Sequence, residues 1–205
     1  GALADANRAI ELDPKNALAW ALRGCCRSNR GDQPSAIADF DQAIALDPKA
    51  DQAWVNRGIA RAKAGEARGA LADFDRAIEL RRTAFALRHR AGVKKLLEDF
   101  EGELADLDAG VALDPKDPYL RLGRASSSWQ ASRHATVIED ATIALDARVG
   151  EAWRMHGLRG NSRAQVGDVP GAIEDLEAAA RGTSDPRIAE ALRIEIERLR
   201  AAAPR

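Results

Sequence analysis

The sequence is poor in the residues that build most enzyme sites and most β-structure. Aromatic residues make up 4% of its 205 positions, with only two cysteines, one methionine and three histidines. Few aromatics and abundant alanine argue against a β-sandwich and for closely packed helices. Cys25 and Cys26 are adjacent, and neighbours on a helix poorly fit disulfide geometry. They read as free thiols of a reducing compartment, and no general base or metal-ligand spacing accompanies them. His89, His134 and His156 stand apart, no Gly-x-Ser-x-Gly elbow occurs, and no phosphate loop or dinucleotide fingerprint is present. No enzyme activity, cofactor or metal is expected. There is no apolar run of about eighteen residues and no signal-like start, so a membrane span is not expected and a cytoplasmic location is. Gly1 reads as a tag remnant or a trimmed start. A net charge of −1 argues against general nucleic-acid binding.

What the chain does have is a period. Hydrophobic residues at 45% and charged residues at 31% mark an ordered, soluble chain, and arginine-rich, lysine-poor usage hints at a bacterial genome. Trp20 and Trp54 lie 34 residues apart, as do Gly24 and Gly58, Ala36 and Ala70, Phe40 and Phe74, and Ala43 and Ala77. The glycine phase reads on as Gly92, Ser126 and Gly160, and the Ala36 phase as Leu104, Ile138 and Ala172. Local slips occur: Asp73 to Asp106 is 33, and Asp140 to Asp175 is 35. A fixed period of this length means stacked units. Trp54, Arg57, Gly58 and Arg61 follow helical spacing, as do Ala70, Phe74, Ala77 and Ile78. Gly65-Glu66 breaks the unit in two, and Asp47-Pro48 separates it from its neighbour. Each unit is a helix–turn–helix. One hairpin cannot bury its apolar stripe alone, whereas stacked copies cover one another.

Trp20-x3-Gly24, then Ala36-x3-Phe40-x2-Ala43 and Pro48, resembles the tetratricopeptide repeat, and Trp54, Gly58, Ala70, Phe74 and Ala77 repeat the match. The chain departs from that pattern at Arg82, where the family has proline. It departs also at Arg23 and Arg57 (leucine in the family) and at Arg27 and Arg61 (tyrosine). The resemblance implies an all-α fold, an α-solenoid in which tetratricopeptide-like hairpins stack as a right-handed superhelix. The expected layout is a single array over 1–205. It comprises a lone trailing helix at 2–12, five repeats beginning at 17, 51, 85, 119 and 153, and a capping helix at 187–201. Trailing helices are expected to end near Leu46, Leu80 and Leu113. Asp-x-Asp at 39–41, 73–75 and 106–108 reads as a repeated surface feature rather than a metal site. Trp129 falls at the packing-tyrosine position and reads either as core or as a ligand contact.

Charge is segregated along the period. The fourteen-residue windows that open the repeats total +13, and those covering the second helices total −11. In the family the first, leading helices line a concave groove, so the resemblance implies a basic groove and an acidic back. The competing reading is that the arginines, Arg27 and Arg61 among them, form ion pairs between helices. Of the five positions of the family's carboxylate clamp (here Ala21, Cys25, Asn56, Ala86 and Arg90), two match, so a chaperone-tail clamp is not expected. Stepping one groove position by 34 gives Leu22, Asn56, Arg90, Arg124 and Leu158. Asn56 could hold peptide amides and Arg90 and Arg124 carboxylates. Gln52, His89, Lys63 and Asn29 complete the candidate set. The expected function is a non-enzymatic adaptor or scaffold holding an extended acidic protein segment. The alternative is an oligomerising or regulatory segment of a larger protein. It would pair, as a homodimer, through an apolar edge at Leu3, Ala6 and Ile10 that no leading helix covers.

Overall fold

A computed structural model describes residues 1–202. Among these residues there are twelve helices and no strand. They fall into two compact units, Gly1–Leu113 and Asp114–Arg205. The first holds α1 (Ala2–Leu12), α2 (Ala17–Asn29), α3 (Gln33–Leu46), α4 (Asp51–Lys63), α5 (Ala67–Leu80), α6 (Ala84–Leu96) and α7 (Phe100–Leu113). The second holds α8 (Pro118–Gln130), α9 (His134–Asp146), α10 (Ala152–Gln165), α11 (Val169–Gly182) and α12 (Pro186–Ala202). The fold is all-α, of the solenoid class. Leading helices α2, α4, α6, α8 and α10 each pack on the trailing helix that follows. Within each unit, trailing helices pack in turn on the next leading helix. Helices begin within one residue of the expected repeat starts, and the trailing helices of the first unit end at Leu46, Leu80 and Leu113.

Local chemistry sets the boundaries. Asn16, Asp32, Thr83, Asp117 and Asp168 cap helix N-termini by accepting hydrogen bonds from backbone N–H groups one turn on. Within three hairpins the turn passes through glycine in the left-handed region, Gly31, Gly65 and Gly167, with φ between 83° and 89°. Glu98 and Ser132 hold that place in the third and fourth repeats, at φ 61° and 55°. A side chain there is strained, so these two turns carry a cost that the others avoid.

The sequence slips arise in the connections between repeats. Four residues, 47–50, join α3 to α4, but only 81–83 join α5 to α6, and five, 147–151, join α9 to α10. Arg82, where the proline is missing, sits in the shortened link. From α6 to α9 the register is therefore one residue earlier than a strict period of 34 gives. The small residues facing the trailing helix are Gly24, Gly58, Ala91, Ala125 and Gly160, all buried. This corrects Gly92, which is exposed, and Ser126. Likewise Val137, not Ile138, continues the Ala36 position, and Phe40 and Phe74 are followed by Leu107, Ala141 and Leu176. Each such ring or branched chain, when fully buried, stabilises by about 1.5–3 kcal/mol relative to exposure.

Candidate functional site

One arginine of each leading helix points into its hairpin. Arg23, Arg57, Arg90, Arg124 and Arg159 each donate through Nε and Nη2 to both oxygens of one aspartate of their own trailing helix. Those aspartates are Asp39, Asp73, Asp106, Asp140 and Asp175, at 2.6–3.0 Å. All five aspartates are buried. A second cation one turn on joins each pair in four repeats: Arg27, Arg61, Lys94 and Arg163. In the fourth repeat that position is Ser128, and Arg121 reaches Asp140 instead at 2.7 Å. The same arginines lean back to the preceding trailing helix. Arg23 reaches Asn7, Arg57 Asp41, Arg90 Asp75 and Arg159 Thr142.

This lattice corrects three expectations. The charge segregation along the sequence is largely internal neutralisation between paired helices, not a basic face opposite an acidic one. The Asp-x-Asp motif is a two-way connector: its first aspartate holds the arginine of its own repeat and, at Asp41 and Asp75, its second holds the arginine of the next. Arg90 and Arg124 are the counterparts of Arg57, not of Asn56, because the shortened link shifts the register, and their forks are spent on Asp106 and Asp140. Burial disfavours charge on Arg57, but Asp73 and Asp41 more than compensate and hold it more firmly protonated than a free guanidinium. Burial likewise opposes ionisation of Asp175. Hydrogen bonds from Arg159 and His156 outweigh it and keep the carboxyl below its ordinary range.

The other five candidates share a different face. On α4, Gln52, Asn56 and Lys63 lie at i, i+4 and i+11, one stripe of a helix. On α2 the same stripe is Leu18, Leu22, Cys25 and Asn29; on α6 it is Phe85, His89, Gly92 and Leu96. α4 lies between α2 and α6, so the stripes form one face of the first unit. Leu18, Leu22, Phe85 and Leu96 are exposed there, Leu18 at 77%. A hollow of about 280 Å³ opens between α2 and α4, with Leu18, Ala21, Leu22, Cys25, Gln52 and Asn56 in its wall. Gln52 Nε2 donates to Asn56 Oδ1 at 3.1 Å, and Asn56 Nδ2 donates to Cys25 Sγ at 3.3 Å. Burial, and then Cys26, push the Cys25 thiol up, away from a reactive thiolate.

His89 closes this face. Its ring stacks on Phe74 at 6.0 Å and meets Phe85 edge-on at 4.5 Å. Burial, with Arg88 and Lys63 nearby, lowers its pKa to about 4, so it is neutral at physiological pH. Leu18 and Phe85 were absent from the sequence-derived set. The signal for them was an exposed-stripe position occupied by a large apolar residue, and at Phe85 the register slip masked it. Trp129 is half-buried, meets His134 edge-on at 5.3 Å and borders an open hollow with Asn161, Ile188 and Leu192. The family's tyrosine position is its neighbour, Ser128. Among the described residues no group of three His, Cys, Asp or Glu is placed to hold a metal ion, and no helix is long and apolar enough to cross a membrane.

Two tetratricopeptide repeat models match the chain, at residues 6–38 and 27–85. No curated protein sequence matches it. Among solved structures it is similar to YrrB, a TPR protein with an unusual peptide-binding site. Identity there is 18% and the TM-score 0.77, over 92% of this chain and 97% of that one. It is similar also to PilF of Pseudomonas aeruginosa, with 15% identity, a TM-score of 0.80, and 93% and 86% covered. MamA of Desulfovibrio magneticus RS-1 gives 20% and 0.67, over 89% and 95%. At such identities the likeness shows a shared fold. Residues 6–85 thus match tetratricopeptide repeats directly, and the later hairpins share that fold.

Proposed function

We propose that the chain is a non-enzymatic scaffold that holds an extended segment of a partner protein across α2, α4 and α6. The observation that carries this reading is the exposed apolar row Leu18, Leu22 and Phe85 around a hollow whose polar rim is Gln52 and Asn56. An apolar side chain of the partner fills the hollow, and the two side-chain amides meet its backbone. Lys63 and Arg88, which flank His89, favour a carboxylate further along, so the segment is apolar and then acidic. Asn29 borders the same stripe. Arg90 and Arg124 support the fold rather than the ligand. The free thiols Cys25 and Cys26 fit a reducing compartment.

Panning a displayed peptide library against the chain tests this. Selected peptides should combine an apolar anchor with acidic residues and should weaken as salt rises. Leu22→Glu should lower their affinity by about tenfold or more, and Asn56→Ala by about fivefold, the worth of one neutral hydrogen bond near 1 kcal/mol. Peptides that bind Leu22→Glu as tightly as the parent would sink the reading.

A further inference from the structure

The second unit has a hollow of its own, of about 430 Å³, walled by α8, α10 and α12. From α12 come Ile188, Leu192 and Glu195, spaced i, i+4, i+7 on one face, and from α10 the amides Asn161 and Gln165, one turn apart. Trp129 closes the hollow from the last turn of α8. That tryptophan does not serve the hairpin. It stands four residues after Ala125, the small residue that faces the trailing helix, and at that place the other repeats have Ser28, Ala62, Lys95 and Ala164. Hairpins therefore form without a ring there. The other tryptophans are occupied within the chain. The Trp20 and Trp54 indoles donate to linker carbonyls at 2.9 and 3.0 Å. An arginine lies over each of Trp20, Trp54 and Trp153, at 4.6, 4.7 and 5.9 Å from the ring centre. Among the described residues Trp129 has neither an acceptor for its N–H nor a cation over its ring, and its ring meets only that of His134.

We propose that this hollow binds a lysine or arginine side chain of an extended protein segment. Charge selects this occupant. Among the described residues Glu195 is the one charged group in the wall. Its ion pair with Arg198, at 3.3 Å, is a surface contact within one helix in which the arginine is 78% exposed. Such a pair is worth little, so an incoming cation exchanges with it at small cost. The bound side chain lays its methylene stem along Ile188 and Leu192, as long basic side chains cover apolar surface. Its charged head is attracted by the Glu195 carboxylate and by the π-system of Trp129. The side-chain amides of Asn161 and Gln165 have no partner among the described residues, and their oxygens accept its remaining N–H groups. An acidic side chain would meet Glu195 in the same space and be repelled. The α4 helix carries a like pair of amides, Gln52 and Asn56, but there Lys63 and Arg88 stand nearby. The two units thus select segments of opposite charge, and the second selection does not rest on the first.

The test pans a displayed peptide library against the Leu22→Glu chain, in which the apolar row of the first unit is broken. Recovered peptides should carry lysine or arginine beside an apolar residue. One such peptide, labelled and with capped ends, is then titrated by fluorescence polarisation. Glu195→Gln and Trp129→Leu should each lower its affinity by about fivefold or more. Replacing the basic residue of the peptide by norleucine should do the same. Once that charge is gone, Glu195→Gln should add little, because both removals act on one contact. Both variants lie at partly exposed positions, and unchanged helical dichroism checks folding. The parent chain should bind the peptide as Leu22→Glu does, which separates this site from the face on α2, α4 and α6. A library that yields no basic peptides would overturn the proposal. So would a selected peptide that binds either variant as tightly as the parent, or whose norleucine form binds undiminished.

Discussion

The second and fourth repeats make the same joint from different residues. In the second, the Trp54 indole donates to Pro48 O at 3.0 Å, its ring lies under Arg57, and Arg57 and Arg61 hold Asp73. In the fourth, Arg121 replaces the tryptophan. Its Nε donates to Pro115 O at 3.1 Å, as the indole does, and its Nη1 supplies the cation that Ser128 cannot. One side chain thus covers two tasks. What all five repeats share is a buried carboxylate held by two cations, whichever residues provide them, and in the first, second and fourth a linker carbonyl is held by one donor as well. A buried ion pair is weak evidence for stability, yet removing one partner is costly because it strands the other charge.

The largest expected effect comes from removing that shared carboxylate. Asp140→Ala takes away the anion that Arg121 and Arg124, 8% and 13% exposed, both hold, although Arg121 keeps Glu139 at 2.6 Å. It should cost about 3–5 kcal/mol in chemical denaturation. Asp73→Ala should cost less, because Arg61 is 23% exposed and can turn toward Glu66 and water. Equal losses, or a greater loss at Asp73, would show that exposure of the second cation does not decide the cost.

The next effect tests the double duty of Arg121. Arg121→Trp restores the indole but removes a charge-assisted bond to Asp140, and should destabilise by about 1.5–3 kcal/mol. Ser128→Arg in that background rebuilds the arrangement of the second repeat and should recover most of the loss. In the parent it should be unfavourable, since Ser128 is fully buried beside Arg121. The sign reversal is a coupling that a double-mutant cycle reads directly. Additive effects would mean that the two positions do not share one task.

Much of this architecture was legible in the sequence, and the reason is local. Helical spacing, capping aspartates and a period carried by Trp20, Phe40 and their copies marked out the hairpins, with leading-helix starts within one residue. The face was less legible. Gln52 and Asn56 share one stripe of α4 by helix geometry alone. Arg90 and Arg124 were misplaced because a strict period of 34 hides a residue lost between α5 and α6, and one residue turns a helix by about 100°, from an outward to an inward position. The arginine–aspartate lattice was half legible: the signs alternated, but whether opposite charges on paired helices face each other or face water depends on packing. The aspartates share the 33 and 35 spacings with the arginines, and that shared slip was the available clue.

The smallest effect separates the repeats by what faces their small residue. In the first repeat Gly24 sits under Phe40, and an added Cβ would lie 2.7 Å from the ring. In the fourth repeat Ala125 takes that place, and the residue at the Phe40 position is Ala141, both fully buried. Helix propensity alone favours alanine over glycine by about 1 kcal/mol. Ala125→Gly should therefore destabilise by about that amount. Gly24→Ala receives the same benefit but must displace a fully buried ring, and overpacking a filled core costs about 1–3 kcal/mol. The net expectation is a loss of about 1 kcal/mol, against the direction of propensity. The third repeat, which pairs Ala91 with Leu107, indicates how to reverse it. In a Phe40→Leu background, Gly24→Ala should become neutral or stabilising, measured against Phe40→Leu alone by thermal melts. If Gly24→Ala stabilises the parent chain outright, the ring yields without cost, and the glycine at this position answers to something other than the close approach of α2 and α3.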